Sequence, residues 1–135
     1  MPLYRPSSPT IMIIDDDLET VGLLRLVLQR AGYNVSTATR WDEVTDRLKI
    51  LSQQKQNVDL IILDIMMPER SGFDVFRALE VILYPMPPVI FLSAKCLVDD
   101  MVKASELGAA KYLVKPTTPD KLLKAVQEVL DQSRL

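Results

Sequence analysis

The run Val58-Asp59-Leu60-Ile61-Ile62-Leu63-Asp64 constrains this chain more than any other segment. Its four consecutive Leu and Ile residues have the continuous apolar character of a strand covered on both faces, not the alternation of one that faces water. Such a strand belongs to an α/β sheet, and its last residue emerges at the carboxyl rim, where open sheets of this kind place their ligands. Asp64 occupies that place. An earlier run, Ile11-Met12-Ile13-Ile14, ends in Asp15-Asp16-Asp17, and two later runs end in Ser93 and Lys115. Four strand ends thus offer carboxylates, a hydroxyl and an ammonium, the groups that phosphoryl transfer around a divalent cation requires.

Helical stripes separate the apolar runs. Leu24, Val27, Leu28 and Ala31, at i, i+3, i+4 and i+7, predict a helix after Asp17, with Gly32 capping its end. Tyr33 to Ala38, with Val35 and Thr37 alternating, predicts a strand. Thr39, three residues before Asp42, has the spacing of a capping box. Trp41, Val44, Leu48 and Leu51 form the next stripe, and Ser52 to Asn57 a polar loop. Ser71-Gly72 opens a helix with Phe76, Leu79 and Leu83 inward. Tyr84-Pro85-Met86-Pro87-Pro88 stops it, because proline cannot continue the helical ladder. Val89 to Leu92 predicts a fourth strand, Asp99 to Leu107 a short helix ended by Gly108, and Lys111 to Val114 a fifth strand. Thr118-Pro119 is an N-cap followed by proline at the first helical position, before Leu122, Ala125, Val126, Val129 and Leu130. Five strands alternating with five helices predict an α/β, doubly wound (βα)5 fold with a five-stranded parallel sheet and right-handed crossovers. One domain is expected over 10–132, after a disordered lead-in at 1–9 and before a tail at 133–135. Any output module lies beyond Leu135.

Absences narrow the chemistry. The 135 residues contain no histidine, which excludes Ser-His-Asp and Cys-His catalysis, His-ligated zinc and service as a phosphohistidine donor. Four glycines, none in a phosphate-binding spacing, exclude a glycine-rich nucleotide cradle. A net charge of −2 gives no general attraction to nucleic acid or to an anionic membrane. No apolar stretch reaches the roughly 20 residues of a membrane span. One cysteine cannot form an internal disulfide, and a cytoplasmic location is expected.

Taken singly, the candidate groups have plain structural readings. A lone strand-end Asp64 could cap the turn that follows it, and Asp15-Asp16-Asp17 could be an acidic helix cap. Ser93 could be a turn residue, Lys115 an exposed lysine and Tyr112 part of the core. Together they carry a resemblance. Ile13-Ile14-Asp15-Asp16-Asp17, Asp59 to Pro68 with Gly72, Val89 to Ala94, Gly108-Ala109 and Tyr112-Leu113-Val114-Lys115-Pro116 have the order and spacing of the receiver domain of two-component response regulators. The match runs from about Thr10 to Asp131.

That resemblance implies the flavodoxin-like strand order 2-1-3-4-5 and identifies Asp64 as the phosphoacceptor, with Lys115 and Ser93 contacting the phosphoryl group. It implies a Mg²⁺ (or Mn²⁺) site in which Asp16, Asp64 and the Met66 backbone carbonyl ligate and Asp15 orients a bound water. Asp17 is left to the helix N-terminus. Ser93 and Tyr112 would be the switch pair, acting on the surface of the last two helices and the strand between them, and the Lys115-Pro116 bond would be cis. The implied partners are a sensor histidine kinase or a histidine phosphotransfer protein, and a second copy of the chain or an output domain downstream. The chain would catalyse only its own phosphorylation and dephosphorylation, so it is not expected to be an enzyme in the usual sense. Trp41, where many relatives keep a small residue, and Thr117, where phenylalanine is usual, depart from the pattern. Two other readings compete: a degenerate receiver that only binds protein, and an aspartyl-phosphate phosphatase. The latter needs a second Asp two positions after the nucleophile, where this chain has Met66.

Overall fold

The computed structural model describes residues 8–95 and 97–133. Five strands and five helices alternate: β1 (Thr10–Ile14), α1 (Leu18–Arg30), β2 (Asn34–Ala38), α2 (Trp41–Gln53), β3 (Leu60–Asp64), α3 (Gly72–Ile82), β4 (Val89–Ser93), α4 (Val98–Leu107), β5 (Lys111–Val114) and α5 (Pro119–Ser133). The strands form one parallel sheet in the order β2-β1-β3-β4-β5.

The continuous apolar runs are explained by two cores, one on each face. Along β1 and β3, Met12, Ile14, Ile61 and Leu63 face the core that also holds Val44, Phe73, Phe76, Leu79 and Ala104. The alternate residues Ile11, Ile13, Leu60 and Ile62 face the core built with Val21, Leu24 and Leu28 of α1 and Leu122, Val126 and Val129 of α5. Successive side chains of a strand point to opposite faces, so a strand covered twice needs every position apolar. β1, β3 and β4 are buried along their whole length, whereas β2 and β5, at the sheet edges, are partly exposed.

Local signals act with a few shifts. Ala31, expected in the buried stripe of α1, is its exposed C-cap; Val21, Leu24 and Leu28 are the buried residues. The helix has turned out of the core by the time Gly32 takes a left-handed φ of +97°. Thr39 is not paired with Asp42. Because α2 begins at Trp41, the third helical residue is Glu43, and both the Thr39 amide and its hydroxyl donate to Oε1 of Glu43. α2 runs to Gln53, into the expected polar loop. Thr118 Oγ1 accepts from the Lys121 amide at 3.2 Å, and Gly108 caps α4 at φ +94°. Residues 1–7 of the expected lead-in and 134–135 of the expected tail lie outside the described residues, while Pro9 O accepts from the Asn34 amide at 2.9 Å. Among the described residues no helix is long and apolar enough to cross a membrane.

Candidate functional site

The parallel arrangement brings every strand's carboxyl end to one rim. β1 delivers Asp15 and Asp16, β3 ends on Asp64, β4 ends on Ser93, and β5 is followed by Lys115. In register, Asp64 lies beside Leu92, one residue before Ser93. The Lys115 amide donates to Ser93 O at 2.8 Å, which fixes the last strand end to its neighbour.

The charged groups converge. Asp15 and Asp64 are buried, at 2% and 4% exposure, whereas Asp16 is exposed. Lys115 Nζ lies 2.7 Å from Asp15 Oδ2 and 3.1 Å from Asp64 Oδ2, so one ammonium serves two carboxylates. Lys115, expected to reach the strand-end carboxylate, is thus held more closely by Asp15. The remaining oxygens are tied to backbone. Asp15 Oδ1 accepts from the Asp17 amide at 2.9 Å, and Asp64 Oδ1 from the Met66 amide at 3.0 Å. The peptide Lys115-Pro116 is cis.

Burial pushes the Asp64 carboxyl above the ordinary carboxylate range, and the neighbouring charge of Asp15 adds to it. The Met66 amide and Lys115 pull the other way without cancelling the rise. For Lys115, burial favours the neutral amine, but the hydrogen bonds and charges of Asp15 and Asp64 outweigh it and raise the pKa. Asp17 stands apart from this set. Its carboxylate caps α1, accepting from the Glu19 amide at 3.2 Å and the Thr20 hydroxyl at 2.7 Å, and the Thr20 bond lowers its pKa.

Carboxylate oxygens of Asp15, Asp16 and Asp64 lie within 4.8 Å of one another. Apart from its contact with the ammonium, Asp15 Oδ2 is a buried oxygen that receives no hydrogen bond among the described residues. A compact set of hard anionic oxygens, one of them with spare lone pairs, fits Mg²⁺ or Mn²⁺.

The expected switch residues sit beside the cluster. The Ser93 hydroxyl is fully buried and accepts from the Lys95 amide at 3.1 Å. Tyr112 is half-buried, packs against the core, and donates its hydroxyl to Lys95 O at 2.8 Å. Both are therefore tied to the same Lys95 backbone. The sequence marks Gly72 as part of a motif and as the opening of a helix, without its contact to the strand end. A Cβ there would lie 2.2 Å from Asp64 O and 2.7 Å from Ile65 Cα, and the Gly72 amide donates to Ile65 O at 2.8 Å. The available signal was a helix opening on glycine straight after the Ser71 cap. Close approach of α3 to the end of β3 is what that glycine permits.

Residues 11–127 match the model of the response regulator receiver domain family. The chain is 35% identical over 123 residues to the transcriptional regulatory protein CpxR of Escherichia coli strain K12, covering 91% of this chain and 50% of that protein. It is 34% identical over 125 residues to the alkaline phosphatase synthesis transcriptional regulatory protein PhoP of Bacillus subtilis, covering 93% and 50%. The chain thus spans about half the length of these curated relatives. Among solved structures, the Vibrio cholerae chemotaxis protein CheY4 superimposes with a TM-score of 0.75 at 30% identity, covering 90% of this chain and 98% of that one. A Burkholderia pseudomallei response regulator, solved with a phosphorylated aspartic acid, calcium ion and citrate, gives 0.75 at 26% identity, covering 94% and 71%.

Proposed function

The chain belongs to the response regulator receiver domain family of two-component systems, and we propose that in it Asp64 accepts a phosphoryl group from a phosphohistidine on a sensor histidine kinase or histidine phosphotransfer protein. The carrying observation is the Lys115 ammonium 3.1 Å from Asp64 Oδ2, inside a cluster with the carboxylates of Asp15 and Asp16. The similar Burkholderia protein bears a phosphorylated aspartic acid, which supports carrying the role to this chain.

In the transfer, an Asp64 carboxylate oxygen attacks phosphorus, the new O–P bond forms, and the P–N bond to the imidazole breaks with its electron pair on nitrogen. The Asp64 carboxylate does this work as an anion, so its raised pKa keeps the nucleophile basic. Lys115 offsets charge on the transferring oxygens, and its two carboxylate partners hold the ammonium in place beforehand. The Met66 amide fixes the second Asp64 oxygen and so aims the first. Asp15, Asp16, Asp64 and the Met66 carbonyl would hold Mg²⁺ or Mn²⁺, which when bound supplies positive charge against the phosphoryl oxygens. Drawn towards the phosphoryl group to which its O–H donates, the Ser93 hydroxyl pulls away from the Lys95 amide. Because Tyr112 is hydrogen-bonded to the Lys95 carbonyl, that release shifts the face formed by α4, β5 and α5, which carries the signal to an output domain or a second copy of the chain. The chemistry is confined to the chain's own phosphorylation and dephosphorylation, in the cytoplasm.

Incubated with acetyl phosphate and Mg²⁺, the protein should gain one acid-stable, hydroxylamine-labile phosphoryl group, and Asp64→Asn should gain none. Full labelling of Asp64→Asn would overturn the assignment.

A further inference from the structure

Beside the cluster, a groove of about 720 Å³ opens between the loop after β3 and the start of α4, with Asp16, Met66 and Lys95 on its wall. Three cations line it: Arg70, Lys95 and Lys103, all exposed. Two of them rest on aromatic faces. The Arg70 guanidinium lies 5.3 Å from the centroid of the Trp41 ring, and Lys103 Nζ lies 4.7 Å from that of Phe73. A ring face orients a cation without neutralising it, unlike a carboxylate, so the full charge stays available to a ligand. None of the three cations makes an ion pair among the described residues. The carboxylates lining the groove are Asp16, Glu69 and Asp100. Asp16 belongs to the cation cluster, which leaves two carboxylates against three cations.

A small donor reacting at Asp64 has to hold its leaving group over this rim, and the groove adjoins it through Asp16, Met66 and Lys95. We propose that Arg70, Lys95 and Lys103 form a subsite for a carboxylate carried on the leaving group of a small acyl phosphate, so that dicarboxylic acyl phosphates are preferred donors. The proposal rests on Asp64 being the acceptor. The step balances without a co-reactant. An Asp64 oxygen bonds to phosphorus, the bond from phosphorus to the acyl oxygen breaks, and the acid leaves as a dicarboxylate holding the electron pair. Trp41 and Phe73 act as positioning residues through their contacts with Arg70 and Lys103.

The test compares Mg²⁺-dependent labelling rates with acetyl phosphate and with monosuccinyl phosphate, which share the reacting group and differ by one carboxymethyl group. Wild type should react about fivefold faster with the succinyl donor, and the preference should shrink with added salt as the charges are screened. Arg70→Ala combined with Lys103→Ala changes only exposed side chains. It should bring the two rates to within about twofold and leave the acetyl phosphate rate unchanged. Trp41→Leu, which removes the platform and keeps Arg70, should lose part of the preference. Equal rates in wild type, or a preference that survives the double variant, would overturn the subsite while leaving Asp64 as acceptor. No labelling by either donor would instead overturn the acceptor reading.

Discussion

A methyl group on Gly72 would come within 2.2 Å of the Asp64 carbonyl oxygen, a backbone atom that cannot rotate aside. The helix start and the strand end are also joined by the bond from the Gly72 amide to Ile65 O. Relief of the clash would therefore move Asp64 itself. Gly72→Ala should lower stability by about 1–3 kcal/mol, the usual range for overpacking, as read from urea denaturation. It should also slow labelling by acetyl phosphate more than truncation of an exposed side chain of the same helix, Arg77→Ala, does. Equal labelling in both variants would show that the close approach serves packing alone.

Packing of β4 against α3 shows the same dependence one level up. Phe91, fully buried, meets Phe73 edge-on with centroids 5.3 Å apart and Phe76 at 5.8 Å. Phe91→Ala should cost about 3–5 kcal/mol, measured by denaturant midpoint with an unchanged slope, because neither aromatic neighbour can fill the space from its helix. Elements of this kind were legible in the sequence: unbroken apolar runs name strands covered twice, and the groups that close those runs name the rim. Less was legible where spatial neighbours decide. The capping partner of Thr39 is Glu43 because α2 starts one residue later than the spacing with Asp42 suggested. Asp59 looked like part of an apolar run, yet its carboxylate accepts from the Thr10 amide at 2.7 Å and fastens β3 to β1 at the far rim. The stacking of Arg70 on Trp41 joins a loop to a helix distant in sequence, which no local pattern encodes.

For the molecule as a whole, the buried carboxyl makes stability depend on pH in an unusual direction. The folded Asp64 keeps its proton to higher pH than the unfolded residue, whose value is near 3.8. That proton favours folding fully below the unfolded value, and the contribution is lost as pH climbs through the raised one. At neutral pH the ionised Asp64 therefore weakens the fold. Asp64→Asn, which leaves Lys115 its 2.7 Å partner Asp15, should raise Tm at pH 7. The gain should shrink as pH falls through the raised Asp64 value towards the unfolded one near 3.8 and change no further below it, and scanning calorimetry across that window would show it. A variant less stable than wild type at pH 7 would mean that the contact with Lys115 outweighs burial.

The reach of Lys115 has a mechanical side. It leaves the chain just after β5, at one edge of the sheet, and passes the end of β4 to meet carboxylates belonging to β3 and β1. With strands about 4.8 Å apart, the strand of Asp64 lies two spacings from β5, on the order of 10 Å, and that of Asp15 three, on the order of 14 Å. One flexible side chain is thus a drawstring laid over the mouth of the sheet, tensioned by the negative charge at its centre. A change of charge on Asp64 therefore acts directly on the residue that follows the edge strand β5.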